Sequence, residues 1–97
     1  MNINIQSLDF TAKEDLLSFV NQKVSKLSHY YDKIISSEVC LSLDKSNAGD
    51  NKVCDIRLVI PGNDLIAKAQ CKSFEEATSE AYEALMRQIE KRKSRSN

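Results

Sequence analysis

Residues 65–89 read LIAKAQCKSFEEATSEAYEALMRQI, and two periods meet inside them. Leu65, Ala67, Ala69 and Cys71 alternate with Ile66, Lys68 and Gln70, the period-two pattern of a strand with one buried face. From Ser73 the period becomes helical, with Phe74, Ala77, Ala81, Tyr82, Leu85 and Ile89 forming one apolar stripe. Ser73 and Glu76 stand at capping-box spacing, which opens the helix there. The inward residues of the strand are small, leaving room for a helix to approach closely. The stretch therefore predicts a helix laid over a sheet.

Upstream, Pro61-Gly62-Asn63-Asp64 reverses the chain, Pro61 fixing φ and Gly62 or Asn63 free to take positive φ. Before it, Lys52 to Ile60 is a strand with Cys54, Ile56, Leu58 and Ile60 inward and Asp55 and Arg57 outward. Residues 45–51, KSNAGDN, form a polar turn, and Glu38 to Asp44 is a further strand with Val39, Leu41 and Leu43 inward. Farther back, Thr11 and Glu14 have capping-box spacing, so a helix is expected from Thr11 to about Ser28 with Leu16, Phe19, Val20, Val24 and Leu27 on its buried face. Lys23 projects inside that apolar arc, so it either snorkels or has a partner. At the start, Ile3 and Ile5 alternate with Asn2, Asn4 and Gln6 in a short strand.

The order is β-α-β-β-β-α, and both helical stripes need cover. An α+β two-layer sandwich supplies it: a four-stranded mixed sheet with both helices packed on one face. Asn4, Gln6, Cys40, Ser42, Asp55, Arg57, Lys68 and Gln70 are left on the other face. Hairpins join the last three strands, and the first pairs across the helix crossover.

A chain of 97 residues with 41% hydrophobic and 29% charged residues fits one globular domain, here 1–97, with one modest core. No apolar run is long enough to span a bilayer and the N-terminus lacks the pattern of a signal peptide, so a cytoplasmic location is expected. Cys40, Cys54 and Cys71 are widely spaced without C-x-x-C, which argues against a disulfide framework and a zinc site. There is no Gly-rich phosphate loop, no G-x-S-x-G and no H-E-x-x-H, and His29 stands alone. Neither an enzyme activity nor a metal, cofactor or small-molecule substrate is expected.

Charge is sorted along the last helix. Glu75, Glu76, Glu80 and Glu83 lie early, while Arg87, Lys91, Arg92, Lys93 and Arg95 oppose the single Glu90 at the end. A helix dipole favours such sorting only over the terminal turn, and the excess points to a polyanionic partner despite a net charge of zero. With both helices on one sheet face, Lys23 and Lys26 of the first and Arg87, Lys91, Arg92, Lys93 and Arg95 of the second can converge on one groove suited to phosphates.

Two segments carry a family resemblance. Phe19-Val20-Asn21-Gln22-Lys23-Val24-Ser25-Lys26-Leu27-Ser28-His29-Tyr30-Tyr31-Asp32-Lys33-Ile34 resembles the first-helix motif of the ribosome hibernation promoting factors: F-V, a lysine, K-L, an aromatic pair, Asp, a base and Ile. Leu85-Met86-Arg87-Gln88-Ile89-Glu90-Lys91-Arg92-Lys93 resembles the ending of that family's second helix, L-x-R-Q-[LI]-x-K-x-K. Element order and length match as well. The resemblance implies binding to ribosomal RNA of the small subunit, in the channel used by messenger and transfer RNA, and inhibition of translation in stationary or starved cells. It places Lys23, Lys26, Arg87, Lys91 and Lys93 against RNA phosphates. Arg92 and Arg95 are added from local charge.

The chain resembles the short form of the family, which lacks a C-terminal domain that dimerises ribosomes. The stub Ser94 to Asn97 favours assisting dimerisation with a second hibernation factor over opposing it through an extended tail. Two rival readings stand beside this one. The first is a protein-interaction module whose exposed sheet face, with Cys40, Arg57 and Ile66, meets a partner while the basic tail is incidental. The second is a small enzyme using the Cys40 thiol.

Overall fold

The computed structural model describes residues 1–95, with Ser96, Asn97 and the side chain of Arg95 outside the described residues. The elements are β1 (Asn2–Ser7), α1 (Glu14–Tyr30), β2 (Ser36–Leu43), β3 (Lys52–Val59), β4 (Leu65–Cys71) and α2 (Phe74–Arg95). The sheet runs β1-β2-β3-β4, with β1 parallel to β2 and the remaining pairs antiparallel. This is the α+β sandwich with a four-stranded mixed sheet that the alternation predicts.

Register explains the core. Ile5, Val39, Ile56 and Ala67 stand opposite one another across all four strands, flanked by the row Ser7, Leu41, Cys54 and Ala69. These rows face the helices. α1 buries Val20, Val24 and Leu27 completely, and α2 does the same with Ala77, Ala81, Leu85 and Ile89. Each large aliphatic side chain taken fully from water contributes about 1.5–3 kcal/mol. Ala77 and Ala81 keep α2 close to β3 and β4, as the small residues of β4 require.

The Ser73 cap forms in a variant geometry. Its hydroxyl accepts from the Glu76 N–H at 3.1 Å and donates to Glu76 Oε1 at 3.0 Å, so the carboxylate meets the hydroxyl rather than the Ser73 N–H. The box expected at Thr11 does not form. α1 starts at Glu14, with extended Lys13 at the N-cap and no side chain capping it. Asp9 takes a positive φ of 65° and the Phe10 ring stacks on Phe74, centroids 4.9 Å apart. With Phe10 anchored there, the residues after it bridge to α1 instead of opening the helix. β2 starts at Ser36, earlier than its alternation indicates, because parallel pairing recruits Ser36 and Ser37 opposite Asn2 and Ile3.

Thr78, fully buried on α2, belongs to the stripe although its hydroxyl hides it from an apolar count. That hydroxyl donates to the Phe74 carbonyl at 2.7 Å and lies 3.6 Å from Cys54 Sγ. At the β2–β3 turn, Asp44 Oδ1 accepts from the N–H and hydroxyl of Ser46 and Oδ2 from Gln70, which holds the carboxyl below its ordinary range. Among the described residues no helix is long and apolar enough to cross a membrane.

Candidate nucleic-acid interface

The two helices run in the same direction. Lys23 of α1 sits over the ring of Tyr82, 5.0 Å from its centre, and farther along both helices Lys93 sits 4.3 Å over the ring of Tyr30. Each helix thus lends one lysine to a tyrosine of the other. Both C-termini reach the same end of the molecule, where their dipoles favour cations. This directionality concentrates the basic residues.

Lys23 has a partner after all: it is half-buried at the helix seam, stem on the core and ammonium over Tyr82. Lys26, one turn on, is exposed. On α2, Arg87 and Lys91 are exposed at i and i+4 and line a shallow depression with Glu90 and Ser94. Lys93 also donates to the Tyr30 carbonyl at 3.2 Å, closing the end of α1. Burial and then the neighbouring Glu90 carboxylate raise the pKa of the Tyr30 phenol.

Arg92 goes elsewhere. Its guanidinium donates to the carbonyls of Pro61 and Asn63, both at 3.2 Å, on the β3–β4 turn. Arg95 ends α2, and its side chain lies outside the described residues. The geometry therefore brings Lys23 and Lys93 to the seam between the helices with Lys26 one turn along α1, leaves Arg87 and Lys91 exposed on α2, and directs Arg92 to the β3–β4 turn. Tyr30 and Tyr82, which carry two of those lysines, were not singled out as site residues from the sequence. The pairing of a lysine inside an apolar arc with an aromatic on the facing stripe is the signal that finds them.

The opposite face is mixed. Asn4, Gln6, Glu38, Cys40, Asp55, Arg57 and Ile66 line a depression there. Ile66 is 60% exposed. Arg57 is bound to Asp64, with Nε at 2.7 Å and Nη2 at 2.6 Å from Oδ2, which raises the guanidinium pKa. Cys40 is partly exposed, whereas Cys54 and Cys71 are buried. Desolvation pushes the thiols of Cys54 and Cys71 up to about 11, aided at Cys71 by the Glu80 carboxylate 2.8 Å away. His29 is exposed. Among the described residues no three His, Cys, Asp or Glu side chains gather as a metal site.

A mixed four-stranded sheet covered on one face by two parallel helices recurs in solved structures. A ribosomal subunit interface protein from Coxiella burnetii superposes with a TM-score of 0.86 at 18% identity, covering 97% of this chain and 99% of its own. The N-terminal domain of Thermus thermophilus Protein Y gives 0.80 at 21% identity, covering 94% and 98%. The sequence goes further than the fold: the chain belongs to the sigma-54 modulation protein / S30EA ribosomal protein family, whose pattern matches residues 3–97. Among its relatives is the ribosome hibernation promoting factor of Pseudomonas putida strain KT2440, 26% identical over 95 residues that span 98% of this chain and 89% of the relative.

Proposed function

We propose that this chain binds ribosomal RNA of the small ribosomal subunit, in the channel used by messenger and transfer RNA, and holds translation off in resting cells. It acts in the cytoplasm, with no catalytic step. Lys23, Lys26, Arg87, Lys91 and Lys93 are the phosphate contacts; Arg95 joins them on charge alone. The observation that supports this reading is the parallel course of the helices, which brings both C-terminal ends to one end of the molecule with Lys23 and Lys93 along their seam. Family membership and the name of the Pseudomonas relative support the ribosome as the source of the phosphates.

Each neutralised phosphate releases counterions, so affinity falls as salt rises, by a log–log slope of about 0.7–0.9 per contact. The test is co-sedimentation with small subunits from resting cells at low salt. The wild-type chain is expected with the subunits and the Arg87→Glu/Lys91→Glu variant at the top of the gradient, with its melting temperature unchanged. A wild-type chain that stays at the top removes the ribosome from this account. Unaltered binding by the double variant moves the site to another surface. The exposure of Ile66 favours one second reading, a protein partner on the outer sheet face, and Ile66→Lys releases such a partner without affecting subunit binding.

A further inference from the structure

We infer that Arg92 is a positioning residue: it clamps the basic end of α2 to the β3–β4 turn and so presents Lys91 and Lys93, without itself holding a phosphate. The inference rests on the ribosome-binding reading above, and deepens it by dividing the cations into those that meet RNA and one that aims them.

Among the described residues Ile89 is the last fully buried side chain of α2, yet the helix continues through Arg95. Apolar burial does not hold those final turns, and a helix end without tertiary contacts frays. Arg92 supplies a contact. It lies three residues past Ile89 on the same side of the helix, partly buried, with Nη1 on the Asn63 carbonyl and Nη2 on the Pro61 carbonyl. The fork of a guanidinium is suited to two acceptors at once. The residue between those acceptors is Gly62, at φ +94°, and a Cβ there would stand 3.0 Å from Arg92 Nη2. The turn has no side chain where the guanidinium lies.

Direction separates Arg92 from the other cations. At about 100° per residue it points about 100° away from Lys91 and about 140° away from Arg87. Those two are exposed, whereas Arg92 directs Nη1 and Nη2 to carbonyls of its own chain. Lys93, on the next position, ties the same turn to Tyr30 of α1. Preordering of this kind strengthens binding by removing the loss of freedom that docking would otherwise impose.

The experiment uses the full chain with Arg92→Ala, Arg92→Lys and Arg87→Ala. Hydrogen exchange of the amides of residues 90–95 is measured in the free protein, and affinity for purified small subunits is measured across a salt series. For Arg92→Ala we expect lost protection at 90–95 and affinity about three- to tenfold weaker, with the salt slope of the wild type. Arg92→Lys, able to reach one carbonyl, falls between. Arg87→Ala keeps the protection and lowers the slope by about 0.7–0.9. Retained protection in Arg92→Ala overturns the clamp. Lost protection with unchanged affinity, or a slope lowered as in Arg87→Ala, overturns the positioning role. If no variant, the wild type included, binds small subunits, the ribosome reading fails on its own while the exchange data still decide the clamp.

Discussion

The ammonium of Lys93 lies 4.3 Å above the ring of Tyr30 and 3.2 Å from the carbonyl of the same residue, so one side chain of α2 closes the last turn of α1. The contact is at the surface, where a cation over an aromatic ring contributes about 0.5–1 kcal/mol. A double-mutant cycle of Tyr30→Leu and Lys93→Met in urea is expected to give a coupling of about that size. Additive single effects would mean that the ring and the ammonium are neighbours without mutual attraction.

The thiols should separate by reactivity. Cys54 and Cys71, both held near 11, stay protonated at pH 8, while Cys40 on the outer face is accessible. Iodoacetamide is expected to modify Cys40 alone in the native chain and all three thiols in urea, as read by mass spectrometry. Raised folded-state values also set a sign for stability. The contribution of the neutral thiols is complete below their ordinary value of 9.0 and is lost as pH rises toward about 11. The urea midpoint should therefore decline over that alkaline interval, and decline less in Cys54→Ala.

Two buried hydroxyls make opposite predictions. Thr78 donates to the Phe74 carbonyl, whereas Ser37 Oγ, also fully buried, has no hydrogen-bond partner among the described residues. Thr78→Val is expected to cost about 1 kcal/mol, and Ser37→Ala to be neutral or stabilising by up to about 1 kcal/mol. Equilibrium unfolding of both variants checks the pair, and equal losses would contradict it.

Gly62→Ala should destabilise through two separable effects. A side chain at φ +94° costs about 1–2 kcal/mol in the backbone, and its Cβ, 3.0 Å from Nη2, crowds the Arg92 guanidinium. In an Arg92→Ala background only the backbone part remains, so the loss on Gly62→Ala is expected to shrink. An undiminished loss would show that the two residues act independently.

Most of the fold was legible because burial imposes a period. Leu65–Cys71 matches its alternation at both ends, and Ser73 marks the start of α2. Failures arose where a contact distant in sequence decided the matter. Phe10 stacks on Phe74, so α1 opens at Glu14 and not at Thr11; β1 lengthens β2 by pairing with Ser36. The charge inventory was legible, and the structure puts Lys23 and Lys93 along the helix seam and leaves Lys26, Arg87 and Lys91 exposed. Direction was not. Nothing local to RQIEKRK tells that Arg92 reaches the carbonyls of Pro61 and Asn63, some thirty residues earlier, while Lys93 reaches Tyr30 on the other side.

Beside that clamp, Gln88 donates to the carbonyl of Ile66 at 3.0 Å, occupying an acceptor on β4, the last strand of the sheet. Lys68 and Lys72 add charge along the same border. The first strand, Asn2–Ser7, has no ionisable side chain. With Gln88 on one of its carbonyls and lysines beside it, the β4 edge is a poor template for a further strand.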